Sequence, residues 1–270
     1  FDKSRREEYT ILIPDMLPIH FKLIMAIYKK YGYRTIDIIK ENPYRPAEDI
    51  NGIGFKTADR IAASMGIPQD SEHRIKAGIK YILNNSLTDG NVFMPRDELL
   101  EKAEETLSVD RETADNYLRE MQIEHKVLNE NIEGIDAVYL MPMYYSEISA
   151  AKKLLELSFF HDETDMKEID AKIDEVEDRT GIFLAKQQRE AVIEAMKEGV
   201  LVITGGPGTG KTTIIHTIIQ IFKSLGMEIA LAAPTGRAAK RMTEATGAEA
   251  KTIHRMLGVA YNDEESGRQK

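Results

Sequence analysis

The sequence predicts a mainly α-helical N-terminal region, followed by the beginning of an α/β domain around a phosphate-binding loop. Three observations support this prediction. Short apolar-periodic segments separated by tight turns fill the first third of the 270 residues, as is typical of small helices. A pattern of two helices and a β-hairpin follows between Pro95 and Pro142. Farther along, an apolar segment runs directly into a glycine-rich loop and a helix.

Composition by itself narrows the class of protein. The length suffices for about two domains, and 42% of the residues are hydrophobic. The chain has no cysteine, which excludes disulfides, thiolate zinc sites and cysteine nucleophiles. No apolar run approaches the ~18 residues of a membrane span, and no signal peptide is visible. We therefore expect a cytoplasmic monomer without a membrane partner.

The net charge of −9 is unevenly distributed along the chain. Acidic residues concentrate between residues 96 and 199, whereas the flanking thirds are mildly basic. Local basic patches, rather than the total charge, decide whether a protein contacts nucleic-acid phosphates. The acidic total therefore does not exclude DNA as a partner.

The segment DINGIGFKTADRI, which begins at residue 49, predicts a helix-hairpin-helix unit. Gly52 and Gly54 permit a turn whose backbone N–H groups can hold a DNA phosphate together with the start of the next helix. Ala58 lets the two helices pack closely. Lys56 and Thr57 lie where their side chains can add phosphate contacts. The alternative is an ordinary helix–turn–helix corner in which the glycines only allow the chain to turn and bind no phosphate.

An upstream copy of this unit lies 34 residues earlier but lacks the Gly-x-Gly turn. We therefore expect it to pair with the downstream copy and to hold phosphate poorly. Together the copies predict a tandem helix-hairpin-helix domain over residues 1–90. The matching positions are Pro18–Lys22 with Gly52–Lys56, Ile27 with Ile61, and Gly32 with Gly66.

Residues 91–145 predict a small winged-helix-like domain, and residues 146–181 predict a helical acidic linker. The acidity of the winged-helix-like part favours a spacer or docking role over DNA binding. The carboxylates of the linker are interpreted as a solvated face. The predicted helices cover 96–107, 111–122, 144–160 and 162–179, and the predicted strands cover 126–128 and 137–140.

The remaining residues, 182–270, predict the start of a P-loop ATPase domain. The segment LVITGGPGTGKTT, from residue 201, matches the pattern G-x-x-x-x-G-K-[ST] between an apolar strand and a helix. Its backbone N–H groups and the following helix start would bind the phosphates of ATP, Lys211 would reach the β- and γ-phosphates, and Thr212 would contact Mg²⁺. The alternative is a strand–helix turn that binds nothing. The predicted nucleotide-binding residues of the loop are Gly205, Gly206, Pro207, Gly208, Thr209, Gly210, Lys211, Thr212 and Thr213.

A glutamine precedes this loop by about two dozen residues. A side-chain amide both donates and accepts hydrogen bonds, which suits the edge of adenine. We predict that Gln188 makes this contact and that Gln187 faces solvent. By itself the signal is weak.

A second predicted strand, over residues 228–233, leads into the segment PTGRAAKR. Thr235 and Gly236 open a helix that carries Arg237, Lys240 and Arg241. A hydroxyl and backbone amides beside three cations suit a DNA-strand phosphate. The alternative is an exposed basic helix face with no ligand.

These segments together resemble the RecD/TraA-type DNA helicases of superfamily 1, and specifically their stand-alone RecD-like branch. The resemblance covers nearly the whole chain and is carried by the helix-hairpin-helix segment, the Gln188 segment and the phosphate loop. Most specific are APTGRAAKR and TIHRML, the second of which begins at Thr252. By resemblance the fold is RecA-like after residue 182, and the parent is an ATP-driven motor moving 5′→3′ on single-stranded DNA in repair or recombination. The resemblance also implies that Thr235, Thr252 and His254 lie near the strand.

One departure from the family sets an expectation about activity. A P-loop ATPase needs an acidic residue at a strand end to hold Mg²⁺ and organise the attacking water. The acidic residues after the loop, Asp263–Glu265, follow no apolar strand. We therefore expect a piece of a longer helicase that stops before the acidic motif and binds DNA and ATP without unwinding. The alternatives are a non-hydrolysing, nucleotide-responsive DNA-binding protein and a branch-migration factor.

Overall fold

The computed structural model describes residues 20–160 and 166–258. The chain divides into two compact units, Phe1–Ala150 and Ala151–Lys270. Each unit is mainly helical, and each contains one small sheet. The predicted fold class, a mainly helical N-terminal region followed by the start of an α/β P-loop domain, is confirmed.

From residue 20 to residue 88, the described part of the first unit forms five helices and one short 3₁₀ turn. The positions that match between the two predicted copies have similar environments. Ile27 and Ile61, which match in sequence, are both buried, and Gly32 and Gly66 both have positive φ after their helices. The predicted upstream turn at Pro18 lies outside the described residues. The helices are α1 (His20–Tyr31), α2 (Thr35–Glu41), α3 (Arg45–Asp49), α4 (Phe55–Ser64) and α5 (Glu72–Thr88), with the 3₁₀ turn at Gly32–Arg34.

A winged-helix-like arrangement completes the first unit. The two predicted helices and both predicted strands are present, and the strands are longer than the sequence indicated. A third strand, of three residues, was not predicted because it is too short to show an alternating pattern. All strand pairs are antiparallel, in the order β1-β3-β2. The elements are β1 (Phe93–Pro95), α6 (Arg96–Leu107), α7 (Arg111–Ile123), β2 (Val127–Ile132) and β3 (Ile135–Leu140).

One hydrophobic core joins the helix-hairpin-helix helices to the winged-helix-like elements. It contains Phe55 and Ala58 of α4, Ile79 of α5, Leu118 of α7 and Val138 of β3. Close helix packing is needed here, because a Cβ built on Gly78 would lie 2.3 Å from Leu107 Cδ2. The hairpin therefore stands on a continuous core.

The second unit contains the phosphate loop and a pair of short parallel strands. Helix α8 (Met141–Ser158) crosses the boundary between the units. Strand β5 was not predicted, and it pairs with β4 so that Ala233 lies opposite Thr252. The further elements are α9 (Met166–Thr180), α10 (Lys186–Lys197), α11 (Lys211–Ser224), β4 (Leu231–Ala233), α12 (Gly236–Thr246), β5 (Ala250–Thr252) and α13 (Ile253–Met256).

The strand predicted before the phosphate loop is wrong for this structure. Residues 200–204, the predicted strand, are not assigned to a strand, and Val202 is 79% exposed. A strand is defined by hydrogen bonds to a neighbour, and none of the described residues pairs with this segment. The second predicted strand is present but shorter, since only Leu231–Ala233 of residues 228–233 pairs.

Helix α9, which the sequence presented as an acidic linker, contributes an apolar face to the second unit. Its Ile169, Ile173 and Val176 pack in one core with Val192 of α10 and Ile214 of α11. The four predicted domain boundaries remain predictions. The packing shows that this helix supports the elements that carry the phosphate loop.

Membrane spans were also sought among the described helices. None of them combines the length and apolar character required to cross a bilayer.

Candidate nucleotide-binding and DNA-binding sites

The phosphate loop is held closed by contacts among its own residues. Gly208 and Gly210 have φ of 78° and 82°, a left-handed conformation that glycine adopts without a Cβ clash. The Thr209 hydroxyl donates to the Gly206 carbonyl at 2.9 Å. A Cβ on Gly205 would lie 2.7 Å from Thr209 Oγ1. The glycines at these positions therefore fit the loop geometry as well as the sequence pattern.

Lys211 starts α11 and folds its side chain back over the loop. Its ammonium donates to the carbonyls of Gly205 at 2.6 Å and Gly206 at 2.7 Å. It also lies 3.4 Å from Thr209 Oγ1. The positive charge is thus placed in the concavity of the loop, beside the positive end of an α-helix.

Thr212 and Thr213 follow Lys211 in the first turn of α11. Thr212 is exposed, and the first N–H groups of a helix have no partner within the helix. A hydroxyl beside free amides and a lysine suits an Mg²⁺–polyphosphate ligand, since Mg²⁺ prefers oxygen ligands. The residues therefore fit the ligand that the sequence predicted.

Gln188 lies against the phosphate loop although it is 21 residues before Thr209 in sequence. Its Nε2 donates to the Thr209 carbonyl at 3.2 Å, and its Oε1 accepts from the Ala185 N–H at 2.9 Å. A Cβ built on Gly210 would lie 2.1 Å from Gln188 Nε2. The structure thus brings the predicted adenine contact and the predicted phosphate contacts into one place.

A network of ion pairs that was not predicted from the sequence holds α10, the helix that carries Gln188. Arg189 pairs with Asp170 at 3.0 Å, Asp174 at 2.8 Å and Glu177 at 3.6 Å. Partial burial opposes ionisation, but the hydrogen bonds that Arg189 donates to Asp174 and Asp170 raise its pKa above the ordinary value. The spacing of the three acids, four and then three residues, places them on one face of α9. That spacing is the sequence feature from which an acidic helix face could have been predicted.

Glu177 also fixes the entry to α10. Its carboxylate accepts from the Leu184 N–H at 2.8 Å. The side chain is 12% exposed, and its two oxygens therefore serve the loop backbone and Arg189 from a mostly buried position. This links the acidic helix to the position of Gln188.

The second predicted site lies where two parallel strands end. Thr235 follows β4, and its hydroxyl accepts from the Ala238 N–H at 3.2 Å. Thr252 ends β5 and accepts from the Arg255 N–H at 3.3 Å. Both threonines are N-caps. Because adjacent parallel strands end at the same sheet edge, the two helix starts share that edge.

Cationic side chains flank this edge on the exposed face of α12. Arg237 and Arg241 are exposed, and Lys240 lies 3.9 Å from Glu244 with 80% of its side chain exposed. His254 is exposed in α13. The acidic segment Asp263–Glu265 lies outside the described residues.

The hairpin between α3 and α4 has the geometry that its two glycines predicted. Gly52 has φ of 89°, whereas Gly54 is extended and is the N-cap of α4. Ile53 between them is buried, and the Gly54 carbonyl accepts from the Thr57 and Ala58 N–H groups. The exposed Lys56 lies in the first turn of α4, and Thr57 beside it is half-buried. This arrangement leaves an exposed glycine backbone at a helix start.

Comparison with known proteins finds a matching family model for each end of the chain. Residues 4–93 match the model of the ATP-dependent RecD2 DNA helicase HHH domain, and residues 188–270 match that of an AAA domain. The chain is similar to the ATP-dependent RecD2 DNA helicase of Deinococcus radiodurans, with 28% identity over 85% of this chain and 33% of that protein. This chain carries a RecD-like N-terminal region and the start of a RecD-like motor domain.

Two further relatives match shorter segments. The RecBCD enzyme subunit RecD of Mycolicibacterium smegmatis is 38% identical over 27% of this RecD-like chain and 17% of that subunit. The ATP-dependent DNA helicase dda of bacteriophage T4 is 44% identical over 25% of this chain and 16% of that protein. The chain therefore spans a third or less of the length of these relatives.

Proposed function

We propose that the RecD-like protein represented by this chain is an ATP-dependent DNA helicase that moves 5′→3′ on single-stranded DNA in repair or recombination. ATP with Mg²⁺ is the cofactor, held by the phosphate loop with Lys211 and Thr212. Gln188 contacts adenine. The observation that carries the proposal is the meeting of Gln188 with the phosphate loop at Thr209, because a loop that bound phosphate alone would need no amide beside it.

DNA is the proposed partner at two places, each argued within its own unit. In the first unit, the hairpin at Gly52 and Gly54, with Lys56 and Thr57, holds a backbone phosphate of a duplex or junction. In the second unit, the edge formed by Thr235, Arg237, Lys240 and His254 contacts single-stranded DNA. Such phosphate contacts position a protein without reading sequence.

The 270 residues themselves are proposed to bind DNA and ATP without unwinding. The domain division at residues 90, 145 and 181 is part of the same proposal. Unwinding would require the acidic group that organises the attacking water, and no apolar strand ending in such a group follows the loop in this sequence.

Lys211→Ala tests the nucleotide site. In the 270-residue chain we expect this variant to lose measurable ATP binding by calorimetry. In the full-length RecD-like protein we expect it to abolish ATP-driven unwinding while DNA affinity changes little. Lys223→Ala is the matched control, because Lys223 is an exposed lysine of the same helix, α11, at its other end. Unwinding that persists in Lys211→Ala would overturn the motor assignment.

A nucleotide-responsive DNA-binding protein without hydrolysis is the second candidate function. It would use the same phosphate loop and the same hairpin and would differ from the helicase in ATP turnover. ATP turnover by the full-length protein in the presence of single-stranded DNA separates the two candidates, since only the helicase requires it.

A further inference from the structure

A cavity of about 670 Å³ opens beside the hairpin in the first unit. It is bordered by the hairpin with helix α3, by helix α5, by the turn that precedes β2, and by the junction of β3 with α8. Gly54, the extended glycine of the hairpin, lines the cavity. The cavity is therefore adjacent to the proposed phosphate site. The lining residues include Gly54, Lys80, Tyr81, Asn84, His125 and Lys126.

Aromatic rings form a stack that ends at this cavity. Tyr44 and Phe55 lie 5.8 Å apart at an interplanar angle of 21°, and Phe55 and Tyr81 lie 5.2 Å apart at 23°. Tyr44 and Phe55 are buried, Tyr81 is half-buried, and all three rings line the cavity. Tyr81 is the most exposed ring of the stack. A flat ring placed on Tyr81 would therefore extend an existing stack of three.

Polar groups surround the same space. The exposed Asn84 offers an amide that can both donate and accept, and the exposed His125 offers two ring nitrogens. His125 has φ of 54° because it follows the end of α7, where its N–H donates to the Gln122 carbonyl and the Lys126 N–H donates to the Met121 carbonyl. Aromatic stacking with nearby amide and imidazole groups is the chemistry that recognises a nucleobase.

Two lysines add positive charge at the rim. Lys80 lies 2.5 Å from Glu48, and Lys126 lies 2.6 Å from Glu124. These pairs are partly exposed, and exposed ion pairs are weak. A strand phosphate can therefore compete for either lysine.

We propose that this cavity binds an unpaired nucleobase of a DNA strand whose backbone the hairpin at Gly52–Lys56 holds. The base stacks on Tyr81, and Asn84 and His125 contact its edge. The proposal rests on the proposed function of the hairpin as a phosphate site. It deepens that function, because the hairpin region would then select strands with an unpaired base over intact duplex.

Fluorescence anisotropy with two single-stranded oligonucleotides tests the proposal on the full 270-residue chain. One oligonucleotide is intact, and the other has the same length with several abasic sites. We expect the chain to bind the intact strand about tenfold more tightly, as base–aromatic stacking predicts. Tyr81→Leu should remove this preference, and Tyr81→Phe should retain it.

Asn84→Ala provides a variant that does not depend on the core, because Asn84 is exposed. It should lower the preference for intact DNA without changing the thermal unfolding midpoint measured by circular dichroism. If Tyr81→Leu unfolds the chain, retention by Tyr81→Phe together with the loss in Asn84→Ala decides in favour of the cavity.

Equal binding of both oligonucleotides by the wild type would overturn the proposal while leaving the hairpin assignment intact. A preference that persists in both Tyr81→Leu and Asn84→Ala would also overturn it, since the base would then bind elsewhere. Binding of neither strand, with no effect of Gly52→Val on duplex binding, would instead overturn the proposed function of the hairpin.

Discussion

The hairpin of the first unit and the phosphate loop of the second use the same local chemistry on very different supports. In both, a glycine with positive φ precedes a helix start that can hold an anion. The hairpin stands on buried Ile53, Phe55 and Ala58. The phosphate loop follows an apolar segment in which Leu201 and Val202 are 38% and 79% exposed.

The difference reflects where each element finds its contacts. The helices of the hairpin pack against neighbours in sequence, since α4 contacts α3 and α5. A parallel strand pairs only across a crossover connection of a dozen or more residues, as β4 does with β5. A helical site can therefore be complete locally, whereas a strand that carries a loop depends on distant strands.

The largest effect should come from truncating a core residue of the first unit. Leu118→Ala should lower the free energy of unfolding by about 2–5 kcal/mol, because Leu118 is fully buried and the change leaves a cavity. Val202→Ala in the second unit should change it by less than about 0.5 kcal/mol, as exposed positions do. Urea denaturation measures both, and equal costs would contradict the comparison.

The second largest effect should be on ATP affinity, when a glycine of the phosphate loop is replaced by alanine. Gly210→Ala should weaken ATP binding about tenfold or more, because overpacking costs about 1–3 kcal/mol and the new Cβ would meet Gln188 Nε2. Gly206→Ala should change binding little, since nothing lies within 4 Å of its Cβ position. Calorimetric titration of each variant with ATP gives the two affinities. Similar losses in both variants would argue against the Gln188 contact.

A third prediction separates the two hairpin glycines. Gly52→Val should weaken duplex DNA binding and destabilise the first unit by about 1–2 kcal/mol, since a left-handed conformation is costly for other residues. Gly54→Ala should be tolerated better, because Gly54 is extended and its Cβ position is open. DNA affinity at several salt concentrations, with a thermal melt of each variant, measures both effects. Equal tolerance at the two positions would contradict this account.

The smallest effect concerns the pH dependence of the first unit. Lys76 is buried and bonds Glu72, Glu120 and Glu124 at 2.6–2.9 Å. Hydrogen bonds from Lys126 and Lys76 lower the pKa of Glu124 to about 2, and the bond from Lys76 lowers the pKa of Glu72. Exposed ion pairs contribute only about 0.2–1 kcal/mol each, and these glutamates are partly exposed.

The sign of this effect follows from the lowered pKa values. A carboxyl whose folded pKa is depressed stabilises the fold above its unfolded pKa of about 4.3. That stability should be lost as pH falls from there through about 2. Urea midpoints between pH 7 and 2 should show this loss in the wild type. In Lys76→Met the midpoint should stay level or rise on acidification, because protonation then relieves repulsion among the glutamates; an identical decline would contradict the prediction.

Much of the fold could be predicted because its signals are local. Helix α6 has the predicted bounds, and α9 ends at Thr180, one residue after the predicted end at residue 179. The matches of Ile27 with Ile61 and of Gly32 with Gly66 indicate the repeat at the level of the amino-acid sequence. The segment 200–204 could not be predicted correctly, because its apolar pattern indicates a strand but does not identify the strand with which it would pair.

The candidate sites divide in the same way. The sequence alone determined the phosphate loop, the hairpin and the threonine that caps α12, because each depends on glycine conformation and helix starts within about ten residues. Only the tertiary structure placed Gln188 on Thr209, joined Arg189 to three acids of α9, and assembled a cavity at Tyr81. These contacts join residues far apart in sequence, and their geometry is set by the packing of helices rather than by any local pattern.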